Sequence, residues 1–364
     1  MYIKSIQLRN FRNYENASIE LSPHINLITG ENAQGKTNLL ESMVYLSLTR
    51  SHRIVDDKKL IKDDALFANI HCVFVDDQET DIDAVIHPQG KTLMLHKQPL
   101  KKSSEFIGLL NVVLFSPDDL HIFSDQPKER RRVMNQEITK VSSRYLSSLN
   151  KYQSYLKDRN SLLKNEKIDM NYLDILDEQM AKEEAIIIQE RRKFVTCMQD
   201  FITDIYQQIS DTNISLTVSY KTFVEDSEDL QADIIRCHKE SRTKDIEYRT
   251  TKTGIHLDDL VFKMDDKNLI YFASQGQKRM AMLSFKLSLL KYIEKMIHKQ
   301  PVLLLDDVLS ELDYHRQKKL LEMVQRDFQC VITSTEIPAF LKNEDMKEFQ
   351  IVNGKIFPFE GGKQ

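Results

Sequence analysis

The run Gly30-Glu31-Asn32-Ala33-Gln34-Gly35-Lys36-Thr37 spaces two glycines, a lysine and a hydroxyl for holding phosphate. Glycines let consecutive backbone N–H groups turn inward around phosphate oxygens. A helix opening at that point adds the partial positive charge of its N-terminus. Lys36 would then reach the β- and γ-phosphates of a nucleoside triphosphate, and Thr37 would hold Mg2+. The chain has only nine glycines in 364 residues, so chance is a poor source of this pattern. ATP is the expected ligand, wrapped by Gly30 to Asn38.

A second segment supplies acids. Val302-Leu303-Leu304-Leu305-Asp306-Asp307 is an apolar run ending in two carboxylates, as a buried parallel strand reads. Open α/β sheets bind ligands at the C-terminal edge of such strands. Asp306 suits the Mg2+ shell, and Asp307 suits the position that polarises an attacking water. Lys36, Asp306 and Asp307 are therefore the catalytic candidates, with Thr37 and Asp306 as the metal ligands. Two further segments flank the acids: Ser274-Gln275-Gly276-Gln277 ahead of an apolar helix, and Ser310-Glu311-Leu312-Asp313 just after them. Ser274-Gln275-Gly276-Gln277 by itself reads as a helix cap.

Elements with the right periodicity stand where these residues need support. His24 to Thr29 reads as a strand running into the glycine loop, and Lys36 to Leu48 as a helix leaving it, with Leu39, Leu40, Met43 and Val44 inward. Strands are also expected at Ile3–Phe11, Ser18–Leu21, Ala68–Val75, Asp81–His87 and Val112–Phe115. From 117 to 210 glycine disappears. Leu173, Met180, Ile187, Phe194 and Phe201 recur every seven residues, the stripe of an amphipathic helix. A second helix is expected over Gln136–Lys164, so this stretch reads as a short helical arm. Strand and helix patterns return from 211. The expected organisation is an α/β domain built from 1–116 and 211–364, with 117–210 inserted and 227–247 as a helix that could join the insertion.

Composition bounds the rest. With 41% apolar and 29% charged residues the chain can bury a core and stay soluble. No apolar run approaches the roughly 18 residues of a membrane span, and Met1 to Ser5 lacks signal-peptide architecture. Cys72, Cys197, Cys237 and Cys330 lie far apart, as reduced thiols of a cytoplasmic protein do. A net charge of −4 gives no global attraction for nucleic acid, so any DNA contact needs a local basic face. Arg130, Arg131 and Arg132 are the first candidates, followed by Lys97, Lys101, Lys102, Lys286 and Lys291. No helix-turn-helix or zinc-finger pattern is visible, which favours backbone contact over sequence readout.

The order of these motifs resembles the head of an ABC-type P-loop ATPase, with Ser274–Gln277 as signature and Ser310–Asp313 as D-loop. The wording of several segments narrows the resemblance to the RecF family of SMC-like ATPases: Leu8–Tyr14, Gly35–Glu41, Arg50–Arg53, Phe115–Leu120, Pro127–Arg132, and most specifically Asp306–Asp313 with its two aspartates. The family pattern is broken at Asn135, where an aspartate is expected, and in Gly254–Asp259, which lacks a proline and an arginine. Ser334 and Thr335 stand where many ABC ATPases place a switch histidine.

The resemblance implies that Ser274, Gly276, Gln277 and Asp313 close over ATP held by a second chain, making an ATP-dependent homodimer. It implies slow ATP hydrolysis and binding to single- and double-stranded DNA at gaps and junctions. It also implies work with RecO and RecR in loading RecA during repair, replication and the SOS response. A transport ATPase, an SMC-like scaffold and a small-molecule kinase are the alternatives. Transport heads are usually shorter and carry the switch histidine, and a kinase needs neither flanking segment.

Overall fold

The structure is a computed structural model that describes residues 1–123, 126–324, 327–337 and 346–359. Two compact units divide the chain. The first comprises Met1–Asp119, Ile205–Thr212 and Met282–Gln364, and the second Leu120–Asp204 and Asn213–Ala281. Both chain ends thus meet in one α/β unit. The stretch 213–281, grouped above with the C-terminal half, packs within the second unit.

In the first unit the chain opens with β1 (Tyr2–Phe11), β2 (Tyr14–Glu20), β3 (Ile25–Thr29) and α1 (Lys36–Leu48). It continues through β4 (Ala68–Val75), β5 (Glu79–His87), β6 (Gly90–Leu95), β7 (Gln98–Pro99) and β8 (Val112–Phe115). The second unit carries α2 (Pro127–Val141), α3 (Ser143–Leu162), α4 (Met170–Ser210) up to Asp204, β9 (Leu216–Lys221), α5 (Leu230–Tyr248), β10 (Asp259–Met264), β11 (Lys267–Asn268), α6 (Leu269–Phe272) and the start of α7 (Gln275–Ile297). Then β12 (Val302–Asp306), α8 (Tyr314–Val324), β13 (Cys330–Ser334), β14 (Met346–Val352) and β15 (Lys355–Pro358) complete the first unit.

Two sheets build that unit. One runs β2-β1-β4-β5-β6-β7 and is antiparallel; the other runs β15-β14-β3-β13-β12-β8 and is parallel except for β15. In the parallel sheet Asp306 stands beside Thr333, and Leu305 beside Phe115. Register therefore brings the ends of β3, β13, β12 and β8 to one edge, and the loops after them share it. Helix α1 touches β5 as well as β8 and β12. It is accordingly buried on nearly every side, Glu41, Ser42 and Ser47 included, and not only along the expected apolar face. One core cluster runs through β1, β4, α1, β12 and β13.

The second unit departs from expectation in two places. The helix expected over Gln136–Lys164 is two helices, because Ser142 leaves helical geometry (φ −135°, ψ 100°) and its hydroxyl caps the second one by accepting from Tyr145 N–H at 3.1 Å. The stripe on α4 also drifts. Leu173, Met180, Ile187 and Phe194 are buried, but Phe201 is only half-buried and Met198 and Ile202 take over. A straight helix loses about 20° per heptad against a strict seven-residue repeat, so the expected line rotates off the packed face. At 41 residues α4 spans roughly 60 Å.

Charge is buried between these helices. Arg159, fully buried, donates through Nε to Asp177 at 2.7 Å and through Nη1 to Thr251 at 2.8 Å, and pairs with Asp245 at 2.8 Å. Removing one partner of such a cluster leaves uncompensated charge in a dry interior. Arg159→Ala is expected to destabilise by roughly 3–5 kcal/mol, seen as a lower urea midpoint for the helical signal. A loss below ~1 kcal/mol would mean that water reaches the two carboxylates.

Candidate nucleotide site

The loop between β3 and α1 takes its shape from its glycines. Gly30 sits at φ +152°, and a Cβ there would lie 2.6 Å from the carbonyl oxygen of Ile351 on β14. Gly35 sits at φ +121°, where a Cβ would meet the Asn13 amide at 2.7 Å and the Tyr14 hydroxyl at 2.9 Å. Both positions exclude side chains by backbone angle and by space. Lys36 folds back across the loop, donating to the carbonyl of Gly30 and, at 2.9 Å, to that of Glu31. Burial lowers its pKa, and the charges of Asp307 and Asp306 work against that shift. A pocket of about 370 Å³ opens here, lined by Glu31, Asn32, Ala33, Gly35, Lys36, Thr37, Asn38, Arg53, Asp306 and Asp307.

Asp306 ends β12 with its carboxylate almost out of water. Its Oδ1 accepts from Thr37 Oγ1 at 3.1 Å and from Thr333 Oγ1 at 2.8 Å. Burial raises its pKa and the two hydroxyls pull it back. Asp307 turns sharply, at φ +53°, while its N–H donates to Thr333 Oγ1 at 3.0 Å. One of its carboxylate oxygens is buried with no hydrogen-bond partner among the described residues. The arrangement thus brings together a mobile cation, a hydroxyl and two acids around one cavity. That is the equipment for holding a triphosphate with its metal.

Residues outside the motifs hold the loop from behind. Glu41 on α1 is fully buried and takes both Arg12 nitrogens, Nε at 2.9 Å and Nη2 at 2.8 Å. It also accepts from the Ser51 hydroxyl at 2.5 Å and faces Arg53 at 3.6 Å. Arg53 in turn donates to Asn38 at 3.0 Å, Asn38 to Asn13 at 2.8 Å, and Asn13 to the Gln34 carbonyl at 2.9 Å. The Tyr14 hydroxyl donates to the Gly35 carbonyl at 2.8 Å. Arg53, Asn13, Tyr14 and Thr333 are missing from the sequence-derived site. The segments containing the first three had stood out as wording, without a reason; the reason is this ring of contacts. Between them His52 is mostly buried, which pulls its pKa down to about 4 and keeps it neutral at pH 7.

The two flanking segments have local roles in the single chain. Ser274 Oγ accepts from Gln277 N–H at 3.2 Å while Gln277 Oε1 accepts from Ser274 N–H at 2.8 Å, a reciprocal capping box that starts α7. A Cβ on Gly276 would meet nothing within 4 Å. Asp313 caps α8, accepting from Arg316 N–H at 3.0 Å and from its guanidinium at 2.7 Å. Ser274, Gly276 and Gln277 belong to the second unit, and the loop, both acids and Asp313 to the first.

Known proteins share this chain from end to end. The family model described as the RecF/RecN/SMC N-terminal domain matches residues 2–356. A DNA replication and repair protein RecF from Clostridium botulinum (strain Loch Maree / Type A3) is 40% identical over 363 residues, covering 98% of this chain and 99% of that protein. One from Clostridium perfringens (strain SM101 / Type A) is 38% identical over 362 residues, with the same coverage. The chain belongs to the RecF family. Among solved structures, that of the recombination mediator protein RecF with ATP, in the RecFOR pathway, matches with a TM-score of 0.91 at 32% identity, over 98% of this chain and 97% of that one. The Smc head domain from Pyrococcus furiosus matches at 0.58 and 18% identity over 98% of this chain and 96% of that one, a likeness of fold.

Within this RecF-family chain the arginine triplet needs correction. Arg130 does not face solvent: it is 2% exposed, gives two hydrogen bonds to Asp259 at 2.6 and 2.9 Å, and donates to the Ile122 carbonyl. Arg131 is half-buried and donates to the Asp258 carbonyl at 2.6 Å, so only Arg132, bonded to its neighbour Glu129, stands exposed. A helix that packs one face inward turns consecutive residues about 100° apart, so three arginines in a row cannot share a solvent face. Lys286 is likewise engaged, with Asp119 at 2.8 Å. The two breaks in family wording are accommodated. Asn135 Oδ1 accepts from Tyr145 at 2.6 Å and from Arg191 at 3.0 Å, and Arg191 already has a carboxylate in Asp258 at 2.7 Å, so a neutral amide suffices. Leu257 is 54% exposed, so the residue at the family's arginine position makes little internal contact.

Glu41 gives a test of the brace. Burial pushes its pKa up, but Arg12 and Ser51 pull harder, and the net shift is downward. Its contribution to stability is therefore complete above the ordinary glutamate range near ~4.3 and is lost as pH falls through the lower folded value. Glu41→Gln should cost about 2 kcal/mol at pH 7, below the figure for a wholly buried pair because Arg12 is partly exposed. It should also flatten the acid side of the stability–pH curve, read by urea denaturation from pH 3 to 7. An unchanged acid limb would remove Glu41 as the centre of the brace.

Proposed function

We propose that this protein is a slow ATPase that closes as an ATP-bound homodimer on DNA. The observation that carries this reading is the convergence of Lys36, Thr37, Asp306 and Asp307 on one cavity at the edge of a parallel sheet. ATP lies along the N–H groups of Gly30–Thr37, with Lys36 leaving its loop carbonyls for the β- and γ-phosphates. Thr37 and Asp306, already bonded to each other, would hold Mg2+, which would offset the charge of the phosphates. Asp307 orients the attacking water, and Arg53 offers a second cation to the phosphates. With aspartate in place of the longer glutamate, and with Ser334 and Thr335 where a switch histidine would stand, hydrolysis is slow.

The partner chain supplies the cover. Glycine in a helix costs up to about 1 kcal/mol against alanine, and among the described residues Gly276 has no neighbour that would require it. A ligand or a second chain approaching the backbone does require it. Ser274, Gly276, Gln277 and Asp313 therefore act on the nucleotide of the other protomer, and the functional head includes the signature segment as well as both chain ends.

DNA binding rests on family membership and on the relatives' role in replication and repair. Its ligands are single- and double-stranded DNA at gaps and junctions, and its partners RecO and RecR, in loading RecA and supporting the SOS response in the cytoplasm. Among the described residues no helix is long and apolar enough to cross a membrane. With Arg130 buried and Arg131 engaged by the Asp258 carbonyl, Arg132 remains as a phosphate contact, and its change to Ala should reduce the salt slope of DNA binding by up to about one unit.

The mechanism is tested by separating the halves of the composite site. Lys36→Ala should abolish high-affinity ATP binding. Ser274→Arg should leave monomer ATP binding intact and block ATP-dependent dimerisation, because a bulky cation displaces the signature from the γ-phosphate. Asp307→Asn should dimerise and persist while hydrolysis falls. Sedimentation of each variant with and without ATP reads the outcome. Dimerisation of Ser274→Arg at the parent level would overturn the shared site.

A further inference from the structure

The antiparallel sheet of the first unit carries a cluster that the nucleotide site does not use. Strands β4 and β5 bury Ile70, Cys72 and Phe74, and Ile82, Ala84 and Ile86, on one face. On the other face His71 stands in register with Asp83, and Asp81 follows on the same side because side chains alternate with a period of two. His96, in the turn from β6 to β7, is tied to the same place, its N–H donating to the Asp81 carbonyl at 3.0 Å.

Distances among these side chains are short. His71 Nδ1 lies 3.0 Å from Asp83 Oδ1, and His96 Nδ1 lies 2.8 Å from Asp81 Oδ1. A ring nitrogen of His71 and one oxygen from each aspartate fall within 4.8 Å of one another. Two details separate this cluster from an ordinary pair of surface histidine–aspartate contacts. Asp83 is only 8% exposed although it stands on the outward face. Asp81 has one oxygen held by His96, while the other is out of solvent with no hydrogen-bond partner in the described structure. Two carboxylates this close repel each other, and a buried oxygen without a donor keeps its desolvation penalty. One divalent cation relieves both.

We infer that His71, Asp81 and Asp83 form a divalent-cation site, with His96 as the positioning residue that turns the free oxygen of Asp81 toward the ion. One imidazole nitrogen with two carboxylate oxygens favours Zn2+ and its borderline neighbours over Mg2+ and Ca2+, which prefer oxygen alone. Ligands bound at zinc distances to one tetrahedral ion lie roughly 3.3–3.6 Å apart. Modest side-chain rotation closes the present spread to that range, and a water completes the shell. The ion would clamp β4 to β5 and, through the bond of Asp81 to His96, steady the β6–β7 turn, and it is independent of the Mg2+ proposed for the nucleotide.

The test is calorimetric titration of the EDTA-treated full chain with Zn2+, without nucleotide and with excess Mg2+ to occupy all-oxygen sites. The expected result is one equivalent of Zn2+ and a higher Tm on binding. Affinity should fall at least about tenfold in Asp81→Asn and in His71→Gln, and about tenfold in His96→Ala. His315→Ala, which removes an exposed histidine paired with Asp211 in the same unit, should bind like the parent. Asp81 and His96 are part-exposed, so those two variants are expected to fold, which circular dichroism checks. No stoichiometric binding by the parent, or parent-like affinity in Asp81→Asn and His71→Gln, would overturn the site.

Discussion

One carboxylate joins the ends of the parallel strands. Asp306 closes β12, accepts from Thr37 at the start of α1 and accepts from Thr333 at the end of β13, and the same Thr333 hydroxyl receives the N–H of Asp307. Each of these groups sits at a strand or helix terminus, so the bonds fix loops and not strands against one another. Burial raises the pKa of the acid, and two hydroxyls offset only part of that. A carboxylate in this position is costly until a cation meets it. The framework therefore places a buried carboxylate at the nucleotide pocket, with Lys36 and Arg53 lining the same cavity.

The same economy appears behind the loop. Glu41 is wholly buried and engages Arg12, Ser51 and Arg53 at once. Those residues lie on two separate segments, and each also touches, or is adjacent to, a residue that fixes the glycine loop. Arg53 reaches Asn38, and Asn13 and Tyr14, next to Arg12, reach Gln34 and Gly35. An acid four residues after Thr37 lies about one turn further along α1, back from the helix start that meets the loop. Movement of Arg53 toward a phosphate would loosen its hold on Asn38, which gives nucleotide binding a physical route to the β1–β2 hairpin.

What could be read from the sequence follows the range of the forces involved. The glycine loop, its strand and helix, the strand ending in two acids and most strands of the parallel sheet were legible, because local spacing encodes them. The ring around Glu41 was not, since Arg12, Glu41 and Ser51 meet only after the two sheets have packed on α1. Arg130 misled for a related reason: a run of arginines looks solvated until Asp259, far along the chain, is brought to it. The break at Ser142 left a weak signal, a serine that prefers capping to continuing a helix. The inclusion of 213–281 in the second unit carries no local signature, because it depends on contacts such as Arg159 with Asp245 and Arg191 with Asp258.

Capping explains part of the signature and D-loop segments, and the remainder is informative. Ser274 and Gln277 satisfy each other's backbone N–H groups, so their presence requires nothing beyond the start of α7. Asp313 is equally spent on Arg316. Gly276 is different, because open space surrounds it and its own helix would be steadier with alanine. Just upstream, Tyr271 and Phe272 are 68% and 70% exposed, two adjacent aromatics that the described residues leave uncovered. Adjacent exposed aromatics of this kind mark surfaces that are covered in an assembly. Gly276 at the helix start and the exposed aromatics just upstream thus form one stretch whose composition the packing of the described residues does not explain. The capping box holds the first turn of α7 in place beside that stretch, because each side chain satisfies the other residue's backbone N–H.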